Sequence, residues 1–189
     1  MENCEEVVKL LSKCVAEHVE SVQKKPIDIE VVNTSTNILP QYAREGDAGM
    51  DVRAYLDTIN PSLMYGGSHI LNGDENLLLI MPPNSRCLIP SGLAFSVPAG
   101  YEMQIRPRSG LALKYGITLT NSPATIDSGY RGDVGVILQN TGSETVTIED
   151  GERIGQFVLS KFETINWIEV KYLSESSRGD SGFGDSGKK

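Results

Sequence analysis

Apolar and polar residues alternate with a period of two over most of the chain, which is the pattern of strands that bury one face. The alternation begins near Ile27 and is clearest in the stretches IDIEVV, DVRAYL, LAFSV, YEMQI and DVGVIL. Segments with proline or glycine separate these stretches. All nine prolines lie outside them or at their ends, where a missing N–H breaks no strand ladder. The pattern predicts an all-β fold, either a sandwich or a jelly roll.

Residues 3–24 follow another period, with apolar residues every three or four positions, and predict an amphipathic helix. Asn3 followed by Glu6 fits a capping box at its start, and Pro26 ends it. The apolar face consists of Val7, Val8, Leu11, Cys14, Val15, Val19 and Val22. Two readings stay open: the helix docks on its own domain or a neighbouring subunit, or it binds a protein partner.

These patterns divide the chain into three parts. We predict a helical extension at 1–25, a β domain at 26–173 and a flexible C-terminal tail at 174–189. Within the β domain, residues 57–81 break the alternation. We interpret them as an inserted excursion with room for an added hairpin, and as a second candidate for binding a protein partner.

Composition and charge narrow the function classes. The chain has 189 residues, enough for one domain with a sizeable core, and its net charge of −8 argues against wrapping nucleic acid. Its start lacks the features of a secretory signal, and the longest apolar run, LLLIMPP, is too short to span a bilayer. Three widely spaced cysteines indicate reduced thiols. We expect a cytoplasmic protein with no nucleic-acid or membrane partner; a nucleus or a virus-infected cell is compatible with the same features.

Two short stretches offer groups that suit a metal ion and phosphate. In DAGMD, Gly49 lets the chain turn between two carboxylates, and Asp51 could hold a hydrated Mg²⁺ through its waters; the alternative is a charged turn. In RPRSGLALKYGI, Arg108, Ser109 and the Gly110 amide form a donor set for phosphate oxygens; the alternative is a β-turn capped by serine. With only two histidines, we expect neither a zinc site nor a histidine-based catalytic centre.

Two further stretches offer a carboxylate that could act as a general base, a tyrosine ring and an amide side chain within an apolar strand. In TNSPATIDSGYRGDVGVIL, a hairpin from Asn121 could present its amides to a base edge. Asp127 could take a proton from water, and Tyr130 could offer its ring to a sugar. The alternatives are that Asp127 caps a turn and Tyr130 is core. In GERIGQFVL, Gln156 is polar within an apolar strand, so it is tied to the backbone or aimed at a ligand.

Five stretches in order, AGMD, PRSGLA, TIDSGYRGDVGVIL, RIGQ and RGDSGFGDSG, resemble the five motifs of the trimeric deoxyuridine triphosphate nucleotidohydrolases, the dUTPases. The resemblance runs from about Ile27 to Gly187. It implies a jelly-roll homotrimer, of the β-clip type, whose active sites are shared between subunits. It also implies Mg²⁺-dependent hydrolysis of dUTP to dUMP and pyrophosphate, which limits uracil entry into DNA and supplies dUMP for thymidylate synthesis.

The resemblance also implies roles for individual residues. Asp51 would hold the waters on Mg²⁺, and Asp127 would orient and deprotonate the attacking water. Tyr130 would pack under the deoxyribose and exclude a 2′-hydroxyl. Asn121 with its hairpin would read uracil, and Phe183 would stack on that base. The remaining substrate contacts that it implies are Arg108, Ser109, Gly110, Gln156, Arg178, Gly184 and Ser186.

Some features depart from the family pattern. Ala124 stands where many members have glycine in the uracil loop, and Asp185 stands where serine is usual in the tail. The related dCTP deaminases carry a catalytic glutamate where this chain has Ile137, which cannot transfer a proton. A non-catalytic regulatory or scaffold protein is the alternative from another class. Because every proposed catalytic position is filled, we expect an active enzyme, and a second, non-enzymatic role stays open.

Two other sequence patterns have simpler explanations. The tail matches the spacing of a G-x-x-x-x-G-K phosphate loop, but Lys189 replaces the required serine or threonine and no helix follows. The tripeptide Arg-Gly-Asp occurs at 131–133 and at 178–180, in both cases inside a motif already described. We therefore interpret the chain neither as a P-loop protein nor as an adhesion ligand.

Overall fold

The structure is a computed structural model, and it describes residues 26–73 and 76–180. The predicted helix at 3–24 lies outside the described residues, as does the end of the tail from 181 onward. Within the described part there are thirteen strands, one α-helix, α1 (Ser109–Tyr115), and 3₁₀ turns at Leu56–Thr58 and Pro61–Leu63. The strands are β1 (Glu30–Asn33), β2 (Met50–Arg53), β3 (Met64–Tyr65), β4 (His69–Asn72), β5 (Leu77–Met81), β6 (Arg86–Pro90), β7 (Leu93–Ser96), β8 (Tyr101–Arg106), β9 (Ile117–Leu119), β10 (Ala124–Ile126), β11 (Gly135–Asn140), β12 (Val146–Glu149) and β13 (Arg153–Lys161).

The strands form small antiparallel sheets around one core. The strand orders are β1-β7, β10-β8-β13-β2, β3-β6-β11-β9 and β12-β5-β4. Buried side chains from all four sheets join a single apolar cluster, in which the rings of Phe95 and Phe157 meet edge to face at 5.5 Å between centroids. The predominance of strands that the alternation predicted is confirmed for the described residues.

Residues 57–81 contain both irregular structure and part of the core. Strands β4 and β5 form an antiparallel hairpin, and β5 also pairs with β12. Leu79 and Met81 on β5 are fully buried. The segment therefore contributes a core strand as well as a hairpin.

Strand β13 is an inner strand of the four-stranded sheet β10-β8-β13-β2. It pairs with β8 on one side and with β2 on the other, so that Gln156 lies opposite both Arg106 and Asp51. The register of β13 and β2 shifts between Arg153 and Gly155, at the end of the pairing. Three of the predicted motifs thus meet at one end of this sheet.

Regular structure ends at Lys161 within the described residues. Residues 162–180, which we call the C-terminal arm, contain no helix or strand. The arm exposes large apolar side chains: Phe162, Ile165, Trp167, Ile168, Val170, Tyr172 and Leu173. In the described part of the chain, no helix has the length and apolar character needed to cross a membrane.

Candidate active site

A cavity of about 440 Å³, the Asp51 cavity, opens where β2, β8, β13 and the start of α1 meet. It is lined by Gln41, Ala43, Asp47, Ala48, Gly49, Asp51, Arg106, Arg108, Ser109, Gly110, Gln156 and Val158. The predicted metal-binding carboxylate, the predicted phosphate donors and the predicted amide of the fourth motif are thus brought together, although they are spread over about a hundred residues of sequence.

The Asp51 carboxylate is held by two arginines. Its Oδ1 accepts a hydrogen bond from Arg108 Nε at 3.0 Å, and its Oδ2 accepts one from Arg153 Nη1 at 3.1 Å. Arg108 Nη1 also donates to the Arg153 carbonyl oxygen at 3.1 Å. Sequence reasoning missed Arg153. The available signal was a basic residue three positions before Gln156, which the structure places at the start of β13.

The donors in this cavity are accessible. Ser109 and Gly110 lie exposed in the first turn of α1, and a Cβ added to Gly110 would meet nothing within 4 Å. The helix ends at Tyr115 and is capped by Gly116, whose φ of 68° is left-handed. An anion can therefore approach the hydroxyl, the bare backbone and the Arg108 guanidinium together.

A second cavity of about 320 Å³, the Asp127 cavity, contains the two remaining key residues of the third motif. It is lined by Leu88, Pro90, Thr125, Ile126, Asp127, Tyr130, Asp133 and Gly135. The Tyr130 hydroxyl donates to the Asp133 carbonyl oxygen at 2.8 Å. Partial burial of the Asp133 carboxyl raises its pKa, although hydrogen bonds from Gly92, Ser91 and Leu93 oppose that shift.

The two cavities lie towards opposite ends of β8. Antiparallel pairing sets Ile126 opposite Met103, so Asp127 follows towards the Tyr101 end of the strand. Arg106, which lines the Asp51 cavity, lies at the other end. The strand from Met103 to Arg106 alone spans about 10 Å. A single chain therefore does not bring Asp127 into the cavity of Asp51 and Arg108.

Among residues 26–73 and 76–180, no group of three or more His, Cys, Asp or Glu side chains is arranged to hold a metal ion. Burial raises the pKa of the Cys87 thiol to about 11, so this cysteine stays protonated and offers no thiolate. A third cavity of about 570 Å³, beside Lys114 and Tyr115, contains none of the predicted site residues.

Comparison with known proteins identifies the family. A sequence model of the dUTPase family matches residues 76–187, more than half of the chain. The deoxyuridine 5'-triphosphate nucleotidohydrolase of Fusobacterium nucleatum subsp. nucleatum is 46% identical over 164 residues, which cover 87% of this chain and 99% of that protein. The enzyme of the same name from Finegoldia magna is 42% identical over 159 residues, covering 84% and 98%. The chain belongs to the dUTPase family.

Solved dUTPase structures share the fold. The dUTPase of Staphylococcus bacteriophage 80alpha with dUPNHPP superimposes with a TM-score of 0.68 at 23% identity, covering 86% of this chain and 99% of that one. A mutant dUTPase from phage phi11 of S. aureus, in a structure concerned with a structural Mg(II) ion, gives 0.61 at 18% identity, covering 79% and 100%.

The other predicted substrate-binding residues do not line either cavity or lie outside the described residues. Asn121 is exposed in the turn between β9 and β10, and Arg178 is exposed in the C-terminal arm; neither lines the Asp51 or Asp127 cavity. Phe183, Gly184 and Ser186 lie outside the described residues.

The prediction of a hairpin between Asn121 and Tyr130 is wrong. Strand β10 pairs with β8, and β9 pairs with β11 in another sheet. Ala124 is buried and Ile126 packs on the core, a burial that an isolated two-stranded hairpin could not provide.

Proposed function

We propose that the protein is a dUTP diphosphatase that hydrolyses dUTP to dUMP and pyrophosphate, with each active site built from an Asp51 cavity and the Asp127 cavity of another copy. The observation that carries this proposal is the division of the family's motifs between two separate cavities. By consuming dUTP and releasing dUMP, the reaction would limit uracil in DNA and feed thymidylate synthesis.

The Asp51 cavity would bind the triphosphate. Arg108, Ser109 and Gly110 offer a guanidinium, a hydroxyl and an open backbone amide, and Gln156 adds an amide side chain. Charge-assisted hydrogen bonds of this type neutralise phosphate charge and hold it in place. In the tail, Arg178, Gly184 and Ser186 would add contacts once the substrate is present.

The residues of the Asp51 cavity fit a Mg²⁺ ion that arrives with the triphosphate. Asp51 offers a hard carboxylate, one-third exposed, beside the phosphate donors, and Asp47 lines the same cavity. Mg²⁺ keeps several waters and binds through one or two carboxylates plus substrate phosphates, so no all-protein cage is required. When bound, the ion would neutralise charge that develops on the phosphate oxygens.

Asp127 would act as the general base. Its carboxylate would take a proton from a water, whose oxygen attacks the α-phosphorus. The bond from that phosphorus to the bridging oxygen of the β-phosphate breaks, and pyrophosphate leaves with the bond electrons. Asp127 is exposed at the mouth of its cavity, which suits exchange of the proton with solvent.

The Asp127 cavity would hold the nucleoside. The Tyr130 ring would lie under the deoxyribose and leave no room for a 2′-hydroxyl, so UTP would be rejected by steric exclusion. Asn121 and the strand that follows it would read the uracil edge, and Phe183 would stack on the base. The glycines around Phe183, which impose few limits on the backbone, would let the tail close over the site.

We infer a homotrimer with jelly-roll subunits. Closed rings of identical subunits can combine different surfaces of neighbouring copies at each interface. The C-terminal arm supports the inference because its large apolar side chains are exposed in a single chain, as an intersubunit surface would be. We assign the protein to the cytoplasm, and we expect residues 1–25 to be dispensable for catalysis.

The test is a substrate panel with the full chain. Pyrophosphate release is measured for dUTP, dTTP, dCTP and UTP with Mg²⁺, and again after EDTA is added. We expect strong preference for dUTP and loss of turnover with EDTA. Comparable rates for dUTP and UTP, or release of ammonia from dCTP, would contradict the proposal.

A further inference from the structure

Tyr130 lies unusually close to Gly132. A Cβ built on Gly132 would lie 2.5 Å from Tyr130 Oη, 2.8 Å from Cζ and 3.2 Å from Cε2. These are atoms of a rigid ring, which cannot bend away as the end of a flexible chain can. The φ of Gly132 is outside the left-handed region, so its backbone would accept other residues. The ring is what requires glycine at this position.

The ring is also fixed at its far end. Tyr130 Oη donates to the carbonyl oxygen of Asp133, whose carboxylate accepts from the Gly92 backbone N–H at 3.1 Å. The next residue, Val134, donates to the Leu93 carbonyl oxygen at 2.8 Å. The accepting carbonyl is therefore held by the turn between β6 and β7. This hydrogen bond and the contact with Gly132 hold the ring from two sides, while the residue is 45% exposed.

We propose that Gly132 is a positioning residue that sets sugar specificity by fixing the Tyr130 ring against its bare backbone. The inference rests on the proposed role of Tyr130 under the deoxyribose. A methyl group at position 132 must displace the ring and break its bond to the Asp133 carbonyl. The displaced ring no longer closes the space that a 2′-hydroxyl would need.

The test compares Gly132→Ala with Gly129→Ala. Gly129 is in the same loop between β10 and β11, its φ is also outside the left-handed region, and a Cβ there meets nothing within 4 Å. The measured quantity is kcat/KM for dUTP divided by kcat/KM for UTP. A displacement on the scale of 1 Å should lower this ratio about tenfold or more in Gly132→Ala, while Gly129→Ala keeps the parent ratio. A parent-like ratio in Gly132→Ala overturns the inference, even if both rates fall.

A spectroscopic readout separates ring displacement from general damage. In protein with ¹³C-labelled tyrosine, the ring signal of Tyr130 is assigned by its loss in Tyr130→Phe. It should shift in Gly132→Ala and stay in place in Gly129→Ala, both without nucleotide; an unshifted signal overturns the inference. If Gly132→Ala does not fold, the double variant Tyr130→Ala/Gly132→Ala decides. Without the ring, the atoms that the new methyl group would meet most closely are gone, so the double variant should fold; a double variant that also fails to fold overturns the inference.

Failure of the inference is distinguishable from failure of the proposed function. Tyr130→Ala removes the ring entirely, and its dUTP-to-UTP ratio should fall if the ring excludes the 2′-hydroxyl. If Tyr130→Ala lowers the ratio and Gly132→Ala does not, only the positioning inference is wrong. If Tyr130→Ala keeps the parent ratio, the proposed role of Tyr130 is wrong, and the inference falls with it.

Discussion

At the residue scale, the Asp51 carboxylate is bound by Arg108 and Arg153 from the same chain. Each of its oxygens accepts from a different guanidinium. A triphosphate entering this cavity would compete with Asp51 for the same donors, because phosphate oxygens also accept from guanidinium forks. Substrate binding should therefore loosen this ion pair.

Gly49 leaves room for the Gln156 amide. A Cβ on Gly49 would lie 2.8 Å from Gln156 Oε1, the flexible end of that side chain. We predict that Gly49→Ala folds with a melting temperature near that of the parent, because the amide can swing aside. The KM for dUTP should rise about tenfold, the scale of one hydrogen bond to a charged group.

A double-mutant cycle checks the cause of that effect. Once Gln156→Ala has removed the amide, adding Gly49→Ala should change the KM little further, because coupled residues are not additive. Additive losses in the double variant would show that Gly49 acts by some other route.

The proposed role of Asp127 as general base can be tested by an isosteric substitution. Asp127→Asn keeps the shape of the side chain and removes its basicity. We predict a loss of kcat of roughly a hundredfold or more, with binding of a non-hydrolysable dUTP analogue retained in calorimetry. Near-parent turnover would exclude Asp127 as the base.

Sequence reasoning predicted part of the lining of the Asp51 cavity and missed other residues there, among them Gln41 and Arg106. Asp51, Arg108 and Gln156 stood out because polar groups at strand ends or inside an apolar strand need an explanation. Arg153 did not, because an arginine at the exposed start of a strand is ordinary in sequence. Its contact with Asp51 depends on the pairing of β13 with β2, which a single sequence does not reveal.

At the scale of elements, strands were easier to predict than the helix. Each of the five alternating stretches overlaps a strand. Four of these strands, β2, β7, β8 and β11, bury side chains in the core, and burial of one face imposes a period of two; β1 is exposed along its whole length. For the segment of α1, the sequence predicts a set of phosphate donors or a β-turn, and not a helix. This helix has only seven residues and buries only Leu111, too few for a helical stripe to show.

The tail is the element whose removal is most informative. A chain ending at Ser177 keeps every strand and both cavities, so we predict that it folds and assembles. It lacks Phe183 and the residues that we propose to contact the phosphates, so its kcat/KM for dUTP should fall by about a hundredfold. Sedimentation checks assembly, and pyrophosphate release checks activity. Unchanged kcat/KM would mean that the tail does not close over the substrate.

At the scale of the whole molecule, the separation of the two cavities gives the sharpest prediction. Arg108→Ala damages the Asp51 cavity and leaves the Asp127 cavity intact; Asp127→Asn does the reverse. If sites are shared between copies, refolding the two inactive variants together should restore part of the activity. Each restored site would take Arg108 from one copy and Asp127 from another.

The matched control is each variant refolded with itself at the same total concentration, which should stay inactive. A chain carrying both substitutions, mixed with either single variant, should also stay inactive, because one of the two residues is then absent from every copy. Activity that appears only in the mixture of single variants identifies the shared site. Its absence, with mixed oligomers present by mass spectrometry, would show that one chain builds the whole site.

The C-terminal arm has an optical consequence. Trp167 is the only tryptophan of the chain, and in a single chain it is 86% exposed among other apolar side chains of the arm. An indole in water emits at longer wavelength than one packed against protein. Trp167 can therefore serve as an intrinsic fluorescent probe. If a neighbouring subunit of the proposed trimer covers the arm, the emission maximum should move to longer wavelength as dilution dissociates the subunits, without a dye or any change to the sequence.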